Sequence, residues 1–394
     1  MQYRTDSRTG SSLSVLGFGC MRLPRSIGGI DMKKSEQLIV QAVRDGINYF
    51  DTAYLYSGSE AALGRILSDN NLRDKIYLAT KMPIADCRNS EDFSRFFEAQ
   101  LKNLKTDHID YYLMHNINTL AQWQMICSLG IEEWIAEQKI AGRIRQTGFS
   151  FHGASDEFTR ILNARDWDFC QIQYNYSDEN YQAGVSGLRL AAEKNIPVMI
   201  MEPLLGGKLA SGLPKKAEEE FRETRNDLTP AAWALRWLWN QPEVTTVLSG
   251  MNSIGQLEDN IGTAESAKAG MLTEAEKEAY KKATEIFRSS DKIPCTGCGY
   301  CIPCPQGVNI PGCFAAYNTS FAFGRITGFA QYITGTAANR SSKGTAGMCI
   351  GCGRCETHCP QNIQIRKSLK ITAKRMEPFY FRWAMAFLRR RSVR

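Results

Sequence analysis

The sequence predicts an α/β protein in which a (β/α)8 barrel is followed by a smaller, mostly α-helical, cysteine-rich domain. Eight apolar runs typical of strands alternate with segments of helical periodicity, which is the layout of a parallel barrel. Polar side chains stand at the ends of several of these runs. Nine of the 13 cysteines lie between Cys295 and Cys359. These three observations divide the 394 residues into a barrel and an appended domain.

The strand-like runs recur at intervals of about 25 to 45 residues, as expected for one strand and one helix per unit. No G-x-G-x-x-G follows the first run, which argues against a doubly wound open sheet. The eight runs end near Cys20, Asp51, Lys81, His115, Ser150, Tyr174, Glu202 and Gly250.

Helix boundaries are readable between the strands. Residues 35–46 carry apolar side chains at helical spacing, and we predict Ser35 as the N-cap and Gly46 as the C-cap of this helix. Gly142 ends the helix before the fifth strand in the same way.

Composition changes abruptly after residue 290, from a Glu- and Lys-rich helix to cysteine, glycine and proline. We therefore predict a barrel over residues 1–290, a cysteine domain over 291–366 and a basic, aromatic tail over 367–394. The amino terminus is polar and lacks the apolar core of a signal peptide, and no run of about 18 uncharged apolar residues occurs. Crowded thiols indicate metal binding in a reducing compartment, so we expect a cytoplasmic protein.

Four polar groups at strand ends predict an active site at the barrel mouth, where barrel enzymes place their chemistry. Asp51 closes the second strand and Tyr56 follows it, while Lys81 and His115 close the next two. An ammonium beside a phenol stabilises the phenolate, and a carboxylate holds that ammonium charged. A neighbouring imidazole can orient a carbonyl and stabilise charge on its oxygen. Such a group protonates a carbonyl oxygen while hydride reaches the carbon.

No side chain stores a hydride, so the site requires a nicotinamide cofactor. Candidate contacts lie on the last four strands and the loops after them, where glycine amides can hold a pyrophosphate and a helix N-terminus a phosphate. These candidates are Ser150, Gln173, Gly206, Gly207, Lys208, Asn252, Gln256 and Asn260.

As an ordered set, these motifs resemble the aldo-keto reductases over about residues 1 to 270. The motifs are DTAYLYSGSE, the strand ending in Lys81, the MH of strand four, the GFS of strand five, QxxYN on strand six and the closing LEDN. The resemblance implies NADPH or NADH across the barrel mouth, contacted by Ser150, Gln173 and Asn260. It also implies a catalytic tetrad of Asp51, Tyr56, Lys81 and His115, with Tyr56 as the general acid.

The chain departs from this family at two cofactor positions. Met201 stands where an aromatic ring often stacks on the nicotinamide. Gln256 stands where an arginine commonly binds the 2′-phosphate, so NADPH and NADH both remain candidates.

The segment CIGCGRCETHCP has the spacing C-x2-C-x2-C-x3-C-P of a 4Fe-4S ferredoxin motif. A structural zinc site is the alternative, although zinc ribbons normally use two C-x2-C pairs.

The upstream CTGCGYCIPCP is one residue shorter before its last thiol. The pair resembles bacterial two-cluster ferredoxins with 44 residues inserted between Cys304 and Cys349, an insertion that we predict to be helical and to pack against the barrel. Cys313, within it, is expected to be a buried thiol or a substitute ligand.

That resemblance implies crossed ligands and two 4Fe-4S clusters, with one cluster as the minimum. The first set is Cys295, Cys298, Cys301 and Cys359, and the second is Cys304, Cys349, Cys352 and Cys355.

These features predict an NAD(P)H-dependent oxidoreductase that reduces a small-molecule aldehyde, ketone or quinone and carries accessory clusters. The clusters either exchange electrons with a redox partner protein or hold the carboxyl-terminal domain in shape. The alternative is a ferredoxin-like electron-transfer protein whose barrel serves as a binding platform.

The net charge of +7 is concentrated in the tail, since residues 366–394 contain ten Lys or Arg and one acid, Glu377. Two interpretations remain open. The tail is either a helix laid on the protein with a solvated basic edge, or a contact for anionic lipid or an acidic partner. No motif for reading a nucleic-acid groove accompanies the charge, so nucleic acid is not an expected partner.

Overall fold

The computed structural model of the chain describes residues 1–26, 28–337, 344–378 and 381. These residues form two compact units. The first unit comprises Met1–Leu204 and Ala231–Thr273, and the second comprises Leu205–Pro230 together with the described residues from Glu274 onward.

The strands of the described chain all lie in the first unit. They are β1 Tyr3–Thr5, β2 Ser12–Ser14, β3 Leu16–Gly19, β4 Arg25–Ser26, β5 Gly29–Ile30, β6 Tyr49–Asp51, β7 Tyr77–Met82, β8 Ile109–Met114, β9 Ile144–Phe151, β10 Phe169–Gln173, β11 Val198–Met201 and β12 Val244–Ser249.

Helices follow each barrel strand and make up most of the second unit. They are α1 Met32–Arg44, α2 Ser59–Asp69, α3 Glu91–Leu104, α4 Leu120–Ser128, α5 Ile131–Ile140, α6 Ser155–Ala164, α7 Gly184–Glu193, α8 Lys208–Ser211, α9 Lys215–Thr224, α10 Pro230–Trp239, α11 Ile254–Glu265, α12 Glu274–Ser290, α13 Ile310–Ala322, α14 Arg325–Tyr332, α15 Arg354–Thr357 and α16 Ile365–Met376.

The predicted barrel is confirmed. Strands β3, β6, β7, β8, β9, β10, β11 and β12 pair in parallel and in chain order, and β12 pairs with β3 to close the sheet. Each strand ends within one residue of the predicted position. Because all eight carboxyl ends face the same way, the side chains that follow them meet at one mouth.

Apolar side chains fill the barrel interior. Tyr111 packs edge to face on Tyr49 and Phe169, with ring centroids 5.1 Å apart in both pairs. The Tyr111 hydroxyl donates to the buried carboxylate of Asp6, which precedes the hairpin turn between β1 and β2. The interior is therefore a packed core, and ligand chemistry is confined to the mouth.

Helix α1 begins earlier than predicted. Asp31, and not Ser35, is the N-cap, because its carboxylate accepts the Lys34 N–H. Ser35 instead lies buried inside the helix. At the other end, Asp45 is the C-cap and Gly46 follows it at φ +95°, a left-handed conformation that suits glycine.

The second unit has its own apolar core, built around Phe314, Ile365 and Leu369. The insertion between the two cysteine motifs is helical, as predicted, and contributes α13 and α14. Cys313 is fully buried in this core, and its thiol donates to the Gly344 carbonyl.

A buried carboxylate joins three segments of the second unit. Glu377 follows α16 and accepts hydrogen bonds from the Tyr332 hydroxyl and the Gly347 N–H, while the Tyr332 oxygen accepts the Ala346 N–H. The peptide leading to Cys349 is therefore fixed by the end of the last described helix.

Within the described residues, no helix combines the length and apolarity needed to cross a bilayer. Most of the predicted basic tail beyond residue 378 lies outside the described residues. Phe381, which is described, is buried against Phe329 and Tyr332.

Candidate active site

A buried ion pair forms the base of the barrel mouth. Lys81, near the end of β7, donates from Nζ to Asp51 Oδ1 at 2.5 Å and to the Thr52 carbonyl at 2.8 Å. The two side chains are 1% and 5% exposed. Two charges withdrawn from water in this way persist only when they are paired and hydrogen-bonded.

Tyr56 and His115 complete the predicted group of four. The Lys81 ammonium lies 5.0 Å from the centroid of the Tyr56 ring, and the rings of Tyr56 and His115 are 6.1 Å apart and nearly perpendicular. Tyr56 is partly exposed, whereas the other three side chains are buried. The structure thus brings together four residues that are up to 64 positions apart in the sequence.

Burial governs the protonation of this group. It lowers the pKa of Lys81, and the nearby Asp51 opposes that shift. It also lowers the pKa of His115 well below the ordinary value, with further contributions from Lys81 and His152. A neutral imidazole can donate a hydrogen bond to an oxygen without competing with Lys81 as a charge.

A buried polar network supports Lys81 from behind. Glu60, from the motif after Tyr56, accepts from Thr80 Oγ1 at 2.6 Å and from Gln100 Nε2 at 2.8 Å. The same Gln100 amide lies 3.1 Å from the Lys81 carbonyl. The backbone that carries the ammonium is therefore held by side chains from α2, α3 and β7.

Gln171 is a site residue that the sequence analysis missed. Its buried side chain donates to Asp51 Oδ2 at 2.9 Å, so that both carboxylate oxygens of Asp51 accept hydrogen bonds. Period-two alternation along β10 could have found it, because Gln171 shares the inward face with Phe169 and Gln173.

The cofactor candidates on strands five and six are buried. Ser150 Oγ accepts the Asn116 N–H at 2.9 Å. Gln173 Oε1 accepts from Gln182 Nε2 at 3.4 Å, and Gln182 Oε1 in turn lies 3.1 Å from His152 Nδ1. Burial lowers the pKa of His152 to about 4, which makes it a second neutral imidazole in this unit.

One buried donor follows β10 directly. Asn175 uses its carbonyl oxygen to accept the N–H groups of Ser177 and Asp178, and its Nδ2 group has no acceptor among the described residues. An unmet buried donor costs about 1–3 kcal/mol, so a ligand acceptor here would be favourable.

The candidates after strand eight surround the start of α11. Ser253 caps this helix by accepting the Gln256 N–H, and Gln256 Oε1 accepts the Asn252 N–H at 2.9 Å. Asn260 is buried and donates to Ser249 Oγ at 3.0 Å. These residues order a helix N-terminus, which is a favourable place for a phosphate.

The remaining candidates, Gly206, Gly207 and Lys208, belong to the second unit. Both glycines have positive φ, and a Cβ on Gly206 would come within 2.0 Å of the Thr296 carbonyl oxygen. Lys208 Nζ contacts both carboxylate oxygens of Asp291, at 2.7 and 2.8 Å. Its ammonium is therefore already held by a carboxylate, a partner that the sequence did not suggest.

The eight motif cysteines line two cavities of the second unit. One small cavity is bordered by Cys295, Cys298, Cys301 and Cys359. Burial raises the pKa of Cys301 to about 12, and the thiols of the other three add to the shift. This cavity unites three cysteines of the first motif with the last cysteine of the second.

The other cavity, of about 320 Å³, gathers the remaining cysteines. Cys304, Cys349, Cys352 and Cys355 line it, and Cys301 borders it as well. No three His, Cys, Asp or Glu side chains of the described chain converge on one metal position. A cubane binds each thiolate through a different iron, so four separated thiols around a cavity suit it.

Residues 15–276 match the aldo/keto reductase family, a span of about two thirds of the sequence. The chain belongs to the aldo/keto reductase family. Residues 294–365 match the 4Fe-4S dicluster domain. The chain is therefore an oxidoreductase of aldo-keto reductase type with a carboxyl-terminal 4Fe-4S dicluster domain, as the sequence analysis predicted.

Relatives of this aldo-keto reductase agree with that assignment over the barrel. An uncharacterized oxidoreductase of Bacillus subtilis, YrpG, is 26% identical over 330 residues, which cover 73% of this chain and 96% of the relative. The holo form of an aldo-keto reductase from Bacillus halodurans superposes with a TM-score of 0.58 at 25% identity, covering 72% of this chain and 96% of that one. A Klebsiella pneumoniae aldo-keto reductase in complex with NADPH shares the fold, with a TM-score of 0.60 at 19% identity over 72% of this chain and 95% of its own.

Proposed function

We propose that this aldo-keto reductase reduces a small-molecule aldehyde, ketone or quinone with hydride from NADPH or NADH, and that Tyr56 is the general acid. One observation carries the proposal. Asp51, Lys81, Tyr56 and His115 meet at the carboxyl ends of the barrel strands, with the phenol partly exposed and the ion pair buried behind it.

Each of the four side chains has a separate role in the transfer of one proton. Tyr56 gives its hydroxyl proton to the carbonyl oxygen, and the Lys81 ammonium stabilises the phenolate that is left. Asp51 keeps Lys81 charged although burial lowers its pKa. The neutral His115 donates a hydrogen bond to the same carbonyl oxygen and orients the carbonyl group.

The residues present fit a dinucleotide cofactor. When bound, a nicotinamide supplies hydride to the carbonyl carbon. Ser150, Gln173 and Asn260 are the proposed contacts, and Asn175 offers a buried amide donor that suits a carboxamide oxygen.

The phosphates of the cofactor have two proposed contact regions. Backbone amides of Gly206 and Gly207 would contact the pyrophosphate, with Lys208 nearby but already paired with Asp291. The capped N-terminus of α11, with Asn252 and Gln256, would meet a phosphate of the adenosine half. Gln256 is uncharged, so its contact gives no ionic preference for the 2′-phosphate of NADPH.

We further propose two 4Fe-4S clusters with crossed ligands. The first is held by Cys295, Cys298, Cys301 and Cys359, and the second by Cys304, Cys349, Cys352 and Cys355. The clusters supply one-electron exchange.

Crossed ligation makes distant cysteines equivalent. Cys359→Ala should have the same effect as Cys295→Ala, because both remove a thiolate from the first cluster. The expected iron content falls from about eight to about four per chain in each case, as full occupancy of two clusters requires. Iron and sulfide assays on anaerobically purified protein measure this.

Cys313→Ala is the matched control, because this thiol is buried but borders neither cavity. It should retain about eight irons. If Cys359→Ala and Cys349→Ala together remove only one cluster, ligation is local to each motif and the crossed assignment is wrong.

The proposed reaction is tested by mixing the purified protein with NADPH or NADH and a panel of aldehydes, ketones and quinones. Nicotinamide absorbance and cluster absorbance are followed separately under anaerobic conditions. Substrate-dependent cofactor oxidation is the expected result.

The cysteine cavities also favour a second function, a ferredoxin-like carrier with the barrel as a binding platform. Cluster cycling with a partner protein, in the absence of any carbonyl-dependent cofactor oxidation, would select that function and overturn the first.

A further inference from the structure

We propose that the surface over the second cysteine cavity docks a small acidic protein that carries one electron at a time. This inference rests on the part of the proposed function that places clusters between the cysteines. It concerns the side chains around the cavity, which are independent of the chemistry at the barrel mouth.

The second cavity is the more accessible of the two. Cys352 is exposed, and two isoleucines between the motif cysteines, Ile302 and Ile350, are 49% and 65% exposed. All three line the same cavity of about 320 Å³. Exposed large apolar side chains next to a redox group form the kind of small apolar contact that a transient partner covers.

Two cationic side chains line the same cavity as these isoleucines. Arg354 and Arg366 are the only charged side chains among the residues that line the cavity. Glu356 is bound to Arg366 through a 2.8 Å ion pair. Further along α16, Lys367 and Lys370 are exposed.

The sequence around the cavity reinforces this positive charge. Residues 293–324 contain no charged side chain, and residues 344–378 contain six Lys or Arg and two Glu. One of those carboxylates, Glu377, is buried. An acidic partner is therefore favoured, because complementary charge accelerates encounter and excludes basic proteins.

The first cavity offers no comparable surface. Its lining contains no charged side chain, and Thr296, Phe314 and Ile363 among its residues are buried. The first cavity therefore lacks the charged and the exposed large apolar side chains that line the second one.

Each encounter would move a single electron. Cys304, Cys349, Cys352 and Cys355 would hold the cluster, which would accept one electron from the reduced carrier or give one to the oxidised carrier. No bond is formed or broken. Apolar centres with charged rims and small buried areas are typical of such short-lived complexes.

The test uses the full chain with its clusters and an acidic flavodoxin as the probe. Arg354→Glu with Lys370→Glu reverses one charge in the cavity lining and one on the residue that follows Leu369, which also lines the cavity. Lys268→Glu with Lys281→Glu is the control, because it changes the net charge equally at exposed positions outside the cavity lining. Calorimetry gives the dissociation constant at low and high salt, and stopped-flow mixing with reduced flavodoxin gives the second-order transfer rate.

The cavity variant should lower the association rate at low salt at least about tenfold, and the control less than about twofold, because steering depends on where the charges lie. Ile350→Gln should raise the dissociation constant at both salt concentrations, since it removes an apolar contact. Iron content and the cluster reduction potential are measured on every variant, so that slower transfer from a changed cluster is distinguished from weaker docking.

The docking surface would be overturned if the two charge variants lowered the association rate equally, or if none of these substitutions changed flavodoxin binding. Tight binding of phosphatidylserine vesicles at the same residues, without flavodoxin binding, would also overturn it in favour of a lipid contact. Carbonyl reduction with NADPH is assayed in parallel. This activity depends on the barrel mouth. If carbonyl reduction is absent, the proposed function is contradicted; if it is present, the binding and transfer measurements alone decide whether the docking surface exists.

Discussion

Tyr56→Phe should lower kcat for carbonyl reduction by about 10²- to 10⁴-fold, the usual contribution of a positioned general acid. The ring stays in place against Lys81 and His115, and only the transferable proton is lost. The dissociation constant for NADPH should therefore change less than about twofold, because the hydroxyl is not among the proposed cofactor contacts. Steady-state kinetics and cofactor fluorescence titration measure the two quantities.

Tyr54→Phe is the matched control. This tyrosine lies two residues earlier, is exposed and packs edge to face on Phe96 with centroids 5.0 Å apart. Its variant should retain wild-type kcat. Turnover by Tyr56→Phe within about tenfold of wild type would assign the proton to another donor, since a general acid contributes more than that.

Asp51→Asn should both abolish turnover and destabilise the barrel by about 3–5 kcal/mol, because it leaves the Lys81 ammonium buried without its carboxylate. The double variant Asp51→Asn with Lys81→Met should be more stable than Asp51→Asn alone, since no uncompensated charge remains. Urea unfolding followed by tryptophan fluorescence gives the free energy of unfolding for each variant.

The pH dependence of Asp51→Asn has a definite sign. Burial already lowers the pKa of Lys81 in the folded protein, and Asp51 opposes this shift. In the variant, the pKa of Lys81 is therefore lower in the folded protein than in the unfolded chain. Stability should therefore rise with pH until the unfolded-state value of about 10.5 is reached.

Lys139→Met is the control for the buried pair. Lys139 contacts Asp168 at the same 2.5 Å distance, but about a third of its side chain is exposed. Its loss should cost about 1 kcal/mol or less, as expected for a solvated ion pair. A similar cost for Asp51→Asn would show that the Lys81 charge is tolerated without its partner.

The barrel could be predicted from the sequence because each strand is a short apolar run and a helical segment follows it. The proximity of Asp51, Lys81 and His115 could be predicted because parallel strands bring their carboxyl ends together. The start of α1 could not be predicted in this way. Ser35 has the composition of a cap, but Asp31 lies where the helical backbone begins and takes that role.

Side-chain partners across the fold were beyond the sequence pattern. Gln171 meets Asp51 across 120 positions, and Lys208 meets Asp291 across 83. Neither pair has a periodic signal, because each depends on how separate elements pack. The cysteines are the exception. The resemblance to two-cluster ferredoxins implies a crossed grouping of the thiols, and the linings of the two cavities group the same cysteines.

The segment from Leu205 to Pro230 leaves the first unit after β11 and joins the helices that follow residue 274. There α9 packs on α12, with Phe221 against Tyr280, and Lys208 pairs with Asp291. No single cut in the polypeptide can release either unit whole. Expression of residues 1–290 alone would keep α9 on α12 but separate Gly206 from Thr296 and Lys208 from Asp291, so the two units have to be produced and engineered as one piece.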